Sequence, residues 1–139
     1  MVYALQDRFN GERRNPWNEF ECGSNYARSM ASFALIPIFA GFTFDLTRGE
    51  IGFFPVESGD HKTFWSLGGG WGEFKLSARA ALLTLCEGAL ELQRFSIPNA
   101  KRAKRVLIDG AEIAFTSDAK AVCFAPTCVH QTLEVLFES

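Results

Sequence analysis

The sequence predicts an α+β chain, with one amphipathic helix near the N-terminus followed by antiparallel β-hairpins that form a sheet or small sandwich. Three observations carry this reading. Apolar residues recur at helical spacing between residues 25 and 38, alternate at strand spacing after residue 41, and are punctuated by turn dipeptides in the second half. With 139 residues, 47% hydrophobic and 22% charged, the chain has material for one core. It reads as a single domain, residues 1–41 giving a loop and the helix, residues 42–139 the mainly antiparallel β region.

The elements follow in order. Met1 to Gly23 is polar and irregular, interrupted by Gly11, Pro16 and Gly23. From Ser24 or Asn25, either of which can cap a helix, Tyr26, Met30, Phe33 and Pro37 recur at i, i+4, i+7 and i+11. Pro37 is expected to kink or end this helix. The period then changes: Phe42, Phe44, a turn through Thr47-Arg48-Gly49, then Ile51 and Phe53 predict a hairpin. Val56 to Gly70, rich in Ser, Gly and Asp and ending in Gly68-Gly69-Gly70, reads as a mobile loop carrying Phe64 and Trp65. Phe74, Leu76, Ala78 and Ala80 alternate with polar residues as one strand with a wet face.

Three further pairs are expected to be antiparallel. Leu82 to Cys86 and Leu90 to Phe95 flank Glu87-Gly88, and Val106 to Ile108 and Ile113 to Phe115 flank Asp109-Gly110. Ala121 to Phe124 and Leu133 to Phe137 are joined through a loop containing Pro126.

Composition narrows the function classes. The net charge of -2 and the absence of aromatics around Lys101, Arg102, Lys104 and Arg105 make that cluster a solvated turn, so no nucleic-acid partner is expected. The longest apolar stretch, Ala31 to Phe44, is short and contains Pro37 and Gly41, so no membrane span is expected. The opening residues lack a charged region leading into an apolar one, which implies no secretory leader and a cytoplasmic address. Cys22, Cys86, Cys123 and Cys128 are too scattered for a disulfide scaffold or zinc spacing and read as four buried thiols. His61 and His130 stand without a second His at helical spacing. No metal and no cofactor are expected.

The informative stretch is Arg14 to Arg28, which places Trp17, Glu19, Glu21, three Asn and two Arg within fifteen positions. Aromatic faces stack on sugar C–H surfaces, carboxylates accept from hydroxyls and guanidinium donates to them, so the mix suits a carbohydrate. Glu19 and Arg28, nine residues apart, would point about 180° apart on one helix at about 100° per residue. A break at Gly23 instead puts Glu19 on an entering loop and Arg28 in the first turns of the helix, where both can face one pocket.

The run RNPWNEFECGSNYARSM, followed by GFTFD, RGEIGFFP and FWSLGGGWGEF, resembles the C-terminal part of glycoside hydrolase family 116, the β-glucosidases that include non-lysosomal glucosylceramidases. The ordered blocks cover Arg13 to about Phe74, and the remainder to Phe137 resembles the family's C-terminal extension more loosely. The resemblance implies retaining hydrolysis of β-glucosides by an enzyme built on an (α/α)6 solenoid, of which the N-terminal helix would be a remnant. It implies that Glu19 and Arg28 bind hydroxyls of the glucose in the −1 subsite, with Trp17, Asn18 and Glu21 as supports. The family's nucleophile and acid/base carboxylates lie upstream of the NPWNE block, so the resemblance assigns no catalytic residue here. Where the family pattern has an acidic residue and a His between CG and YAR, this chain has Ser24-Asn25. Val2 to Arg13 resembles the approach to the block, so the chain would begin inside the solenoid. The helix would then lack packing partners and seek cover by self-association as a homo-oligomer or from a complementing solenoid polypeptide.

Two other readings stand beside this one. A freestanding carbohydrate-binding or protein-interaction β module would present Trp17, Trp65 and Trp71 as its recognition surface. A self-sufficient hydrolase would draw a carboxylate pair from Glu12, Glu19, Glu21 and Asp45.

Overall fold

The computed structural model describes Tyr3 and residues 33–138. The chain divides into two compact units, Met1–Leu35 and Ile36–Ser139, and every described strand belongs to the second. The described residues are mostly β, in two sheets, with one short α-helix and one 3-10 turn.

Helix α1 spans Leu35–Ala40 and is preceded by a turn at Ala34. Pro37 does not end the helix, which runs on to Ala40; Phe33 is helical and the helix is interrupted at Ala34, beside the Phe33 carbonyl that Pro37, having no N–H, cannot bond. The part of the expected helix between residues 25 and 32 lies outside the described residues. After α1 the chain reverses at Gly41, whose N–H donates to Ile38 O at 3.1 Å. The strand β1 (Phe42–Asp45) then pairs with β2 (Glu50–Phe53) in the expected hairpin. Asp45 Oδ1 fastens that turn by accepting from the N–H and hydroxyl of Thr47 and the N–H of Arg48.

The remaining strands are β3 (His61–Leu67), β4 (Gly70–Leu76), β5 (Ala80–Gly88), β6 (Leu90–Ser96), β7 (Ala103–Ile108), β8 (Ala111–Ile113), β9 (Phe115–Ser117), β10 (Ala121–Val129) and β11 (Thr132–Phe137). One sheet has the order β1-β2-β6-β10-β9 and the other β3-β4-β5-β11-β7-β8. Neighbours run antiparallel throughout, except β2 and β6, which are parallel. The sheets face each other as a sandwich. Ile51, Phe53, Leu92, Phe95 and Val122 from the first meet Trp65, Phe74, Leu83, Val106 and Val135 from the second in a single apolar cluster.

Several expectations are corrected here. Residues 61–67 are a strand rather than part of a mobile loop, because Gly68 and Gly69 form a two-residue turn that registers Leu67 against Gly70. The strand expected over residues 74–80 breaks at Ser77, whose hydroxyl oxygen accepts from the N–H groups of Arg79 and Ala80 and turns the chain into β5. The segments flanking Glu87-Gly88 do not pair. β5 and β6 belong to different sheets, and the chain crosses between them at Gly88, which has φ 93°. Likewise β10 and β11 lie in opposite sheets, with Pro126 inside β10 at the irregularity between Cys123 and Thr127.

The Asp109-Gly110 hairpin forms as expected, joining β7 to β8. Both turn residues have positive φ, 49° and 82°, the backbone that a two-residue turn matched to strand twist requires. The second arm lies two residues earlier than expected. It ends at Ile113, and Phe115 starts β9 in the opposite sheet.

Candidate functional site

The residues read as sugar-holding, Glu19 and Arg28, and their supports Trp17, Asn18 and Glu21, lie outside the described residues, as do Glu12 and Cys22. Asp45 has a different occupation. Its carboxylate is held below the usual range by the Thr47 hydroxyl first; burial opposes this, and the N–H groups of Arg48 and Thr47 and the Arg48 charge add to the lowering. An oxygen taken up by three local donors fastens a turn and is poorly disposed to attack or protonate a substrate.

The tryptophans separate sharply. Trp65 is 1% exposed and points into the sandwich, so it cannot line a recognition surface. Its indole Nε1 is buried without a hydrogen-bond partner. Trp71 is 43% exposed on the outer face of the six-stranded sheet. Strand alternation puts Lys62, Phe64 and Ser66 of β3 on the same face, in register with Lys75, Glu73 and Trp71 of β4. Phe64 and Trp71 are diagonal neighbours in this grid, with ring centroids 6.3 Å apart and planes at 45°. Phe64 is 53% exposed.

Beside the rings, Glu73 bridges two cations. Its Oε1 lies 2.8 Å from Lys62 Nζ and its Oε2 lies 3.1 Å from Lys75 Nζ. Hydrogen bonds from Lys62 and then Lys75 hold the carboxyl below the ordinary glutamate range. Thr84 of β5 stands opposite Glu73 and adds a hydroxyl. Sequence reading missed Phe64 as a surface residue because it assigned the segment to a loop. A two-residue turn at Gly68-Gly69 would have placed Phe64 and Trp65 on opposite faces of one strand.

A second concavity, a groove of about 460 Å³, lies where the β2–β3, β4–β5 and β6–β7 connections meet at one end of the sandwich. Glu57, Asp60 and Arg102 are among its charged lining residues, with Asn99, at φ 60°, on its rim. Arg102 is engaged there, donating through Nη2 to the backbone carbonyl of Glu138.

The other expected features resolve as follows. Cys86 and Cys128 are exposed and Cys123 is half-buried, so these three are not the buried thiols expected. They occupy outward positions of their strands, where a small side chain has no core to enter. Arg94 Nη1 donates to Cys123 Sγ at 3.2 Å, while its Nη2 pairs with Asp118 at 3.2 Å. His61 Nε2 is buried without a partner, and His130 lies exposed between β10 and β11. Lys101, Arg102, Lys104 and Arg105 are all exposed, and Arg105 pairs with Glu112 at 2.9 Å. Among the described residues, no three His, Cys, Asp or Glu side chains are placed to hold a metal ion, and no helix is long and apolar enough to cross a membrane.

One apolar flank is exposed. Ile38 and Phe39 of α1 lie next to Phe54 and Val56, because Val56 N–H donates to Phe39 O at 3.0 Å and Phe54 N–H to Gly41 O at 3.1 Å. Ile38 and Val56 are 61% and 67% exposed, and Phe44 on the neighbouring edge strand is 57% exposed.

In comparisons with known proteins, no protein-family model matches the chain and no curated protein matches it.

Proposed function

We propose that the chain is the C-terminal portion of a retaining β-glucosidase or glucosylceramidase-like enzyme of the family 116 type. In this reading Glu19 and Arg28 hold glucose hydroxyls, and the nucleophile and acid/base carboxylates come from a complementing (α/α)6 solenoid polypeptide. The observation that carries it is the ordered run Asn15-Pro16-Trp17-Asn18-Glu19, Cys22-Gly23 and Tyr26-Ala27-Arg28.

Two structural features support the reading. The downstream blocks of the resemblance each fall on one structural unit: GFTFD on β1, RGEIGFFP on the turn and β2, FWSLGGGWGEF on the hairpin of β3 and β4. The exposed flank of Ile38, Phe39, Phe54 and Val56 offers the apolar surface that a solenoid partner would cover.

The role of Glu19 and Arg28 is positioning. A carboxylate and a guanidinium on neighbouring hydroxyls fix the anomeric carbon, and bonds that strengthen as the ring flattens favour the transition state over the bound substrate. Retention needs two further carboxyl groups about 5 to 5.5 Å apart, one attacking the anomeric carbon and one protonating the leaving oxygen.

The test is hydrolysis of a chromogenic β-glucoside. The purified chain is expected to release no chromophore alone and to do so with a solenoid polypeptide that carries the two carboxylates. Turnover by the chain alone, lost when one of its own carboxylates is replaced, contradicts the proposal. The alternative of a freestanding carbohydrate-binding module is favoured by one observation, the closed core that the two sheets form between residues 51 and 137.

A further inference from the structure

We propose that the outer face of β3 and β4 is a separate saccharide-binding surface, on which Phe64 and Trp71 stack successive units of a neutral β-linked glucan chain while the Lys62, Glu73 and Lys75 triad bonds its hydroxyls. This surface does not depend on Glu19 or Arg28.

Neither ring belongs to the core cluster. The inner positions of the same strands, Trp65, Phe74 and Leu76, already face the core, and Phe64 and Trp71 stay 53% and 43% exposed on the opposite side. Ser66, opposite Trp71, is small and exposed, so a flat guest can approach the indole. A 45° angle between rings whose centroids are 6.3 Å apart makes a shallow V rather than a plane. Consecutive sugar units in a β-linked chain are turned relative to one another, and each can lay a C–H face on one ring.

The electrostatics select the occupant. Glu73 sits between two ammonium groups at 2.8 and 3.1 Å, and exposed Glu87 of β5 stands in register with Trp71, so two carboxylates face two ammonium groups while lone pairs and N–H donors stay at the surface. A neutral polyol can bond such groups at the edge of the rings without burying them completely. A protein flank pressed on the same face would desolvate all three ions, which costs more than the pairing returns. An anionic polymer would need cations that are not already paired with a carboxylate. The remaining chemistry, two tilted rings edged by paired ions and the Thr84 hydroxyl, fits a carbohydrate.

The test is a titration of the full chain with cellotetraose, followed by tryptophan fluorescence and calorimetry. Of the three tryptophans, Trp71 lies on this surface and Trp65 in the core, so a fluorescence change that persists in W71F is assigned to Trp17 or Trp65, and calorimetry reads binding independently of all three. A saturable signal is expected, weakened at least tenfold in W71A and by a smaller factor in F64A and E73Q. W71F, which keeps a ring, is expected to retain binding and guards against loss through misfolding. No saturable signal in the wild-type chain, or binding undiminished in a folded W71A chain, overturns the proposal. So does a wild-type self-association that W71A abolishes, because the face would then receive protein. Binding lost in E19Q/R28Q but kept in W71A would assign the sugar to the N-terminal segment alone and also overturn it.

Discussion

The ring of Phe53 on β2 lies flat against that of Phe74 on β4, centroids 4.1 Å apart and planes 7° from parallel, so the two sheets meet ring to ring. Phe95 of β6 stands edge-on to both, at 6.5 and 6.1 Å. Phe53, Phe74 and Phe95 are fully buried. Removing one ring leaves a cavity bounded by both sheets that neither can close by shifting a loop. F74A is therefore expected to cost about 3–5 kcal/mol, measured as a loss of urea midpoint with unchanged slope, and F74L less. An F74A midpoint equal to the wild type would show that the sheets do not pack through this residue.

Asp109 links the β7–β8 turn to the β10–β11 crossing. Its Oδ1 accepts from the N–H groups of Gln131 and Thr132 at 2.7 and 2.9 Å, and its Oδ2 from that of His130 at 3.0 Å. Burial alone would raise its pKa, but the three backbone donors outweigh it and hold the carboxyl below the ordinary value. A depressed folded pKa stabilises the fold above the unfolded value near pH 4, and that contribution is lost as pH falls through the folded pKa. D109A is expected to cost about 1–2 kcal/mol at neutral pH. D109N keeps an acceptor and a residue suited to positive φ, so its stability should fall less between pH 5 and 2 than that of the wild-type chain. Parallel stability–pH curves for the two would contradict this role.

Gly88 is where the chain passes from the six-stranded sheet to the five-stranded one. Its φ is 93°, and a Cβ there would press into the backbone of Gly69 and Gly70. The neighbouring Ala89 N–H donates to Gly69 O at 3.0 Å. Both strain and clash act on G88A, which is expected to lose more than about 1 kcal/mol by chemical denaturation, whereas G59A, with open space around it, should lose less. A G88A chain as stable as the wild type would contradict the crossing geometry.

Exposed Cys86 and Cys128 should react with a thiol reagent in the native chain, and Cys123, half-buried and so less accessible, more slowly. Mass spectrometry after brief labelling reads this directly. Cys123 labelling ahead of the other two would contradict it.

The local turns were legible because their chemistry is local. Asp109-Gly110 supplies two positive-φ residues in succession, and Thr47-Arg48-Gly49 closes β1 onto β2 with Asp45 as its fastener. Sheet membership was not. Alternation reports which face of a strand is wet and carries no information on its neighbour, so β5 and β6 look like a hairpin although they pack across the core. Phe64 and Trp65 were hidden for a related reason, since a glycine run reads equally as loop or tight turn. Glu19 and Arg28 were singled out by side-chain chemistry and by the motif resemblance, and they lie outside the described residues.

The most direct test is calorimetric titration of methyl β-glucoside into the F64A/W71A chain, which removes the sheet-face rings, compared with the same chain carrying E19Q and R28Q. Weak saturable binding in the first, reduced at least tenfold in the second, is the expected result. Equal heats in the two chains would contradict the assignment of Glu19 and Arg28 as the groups that hold the sugar.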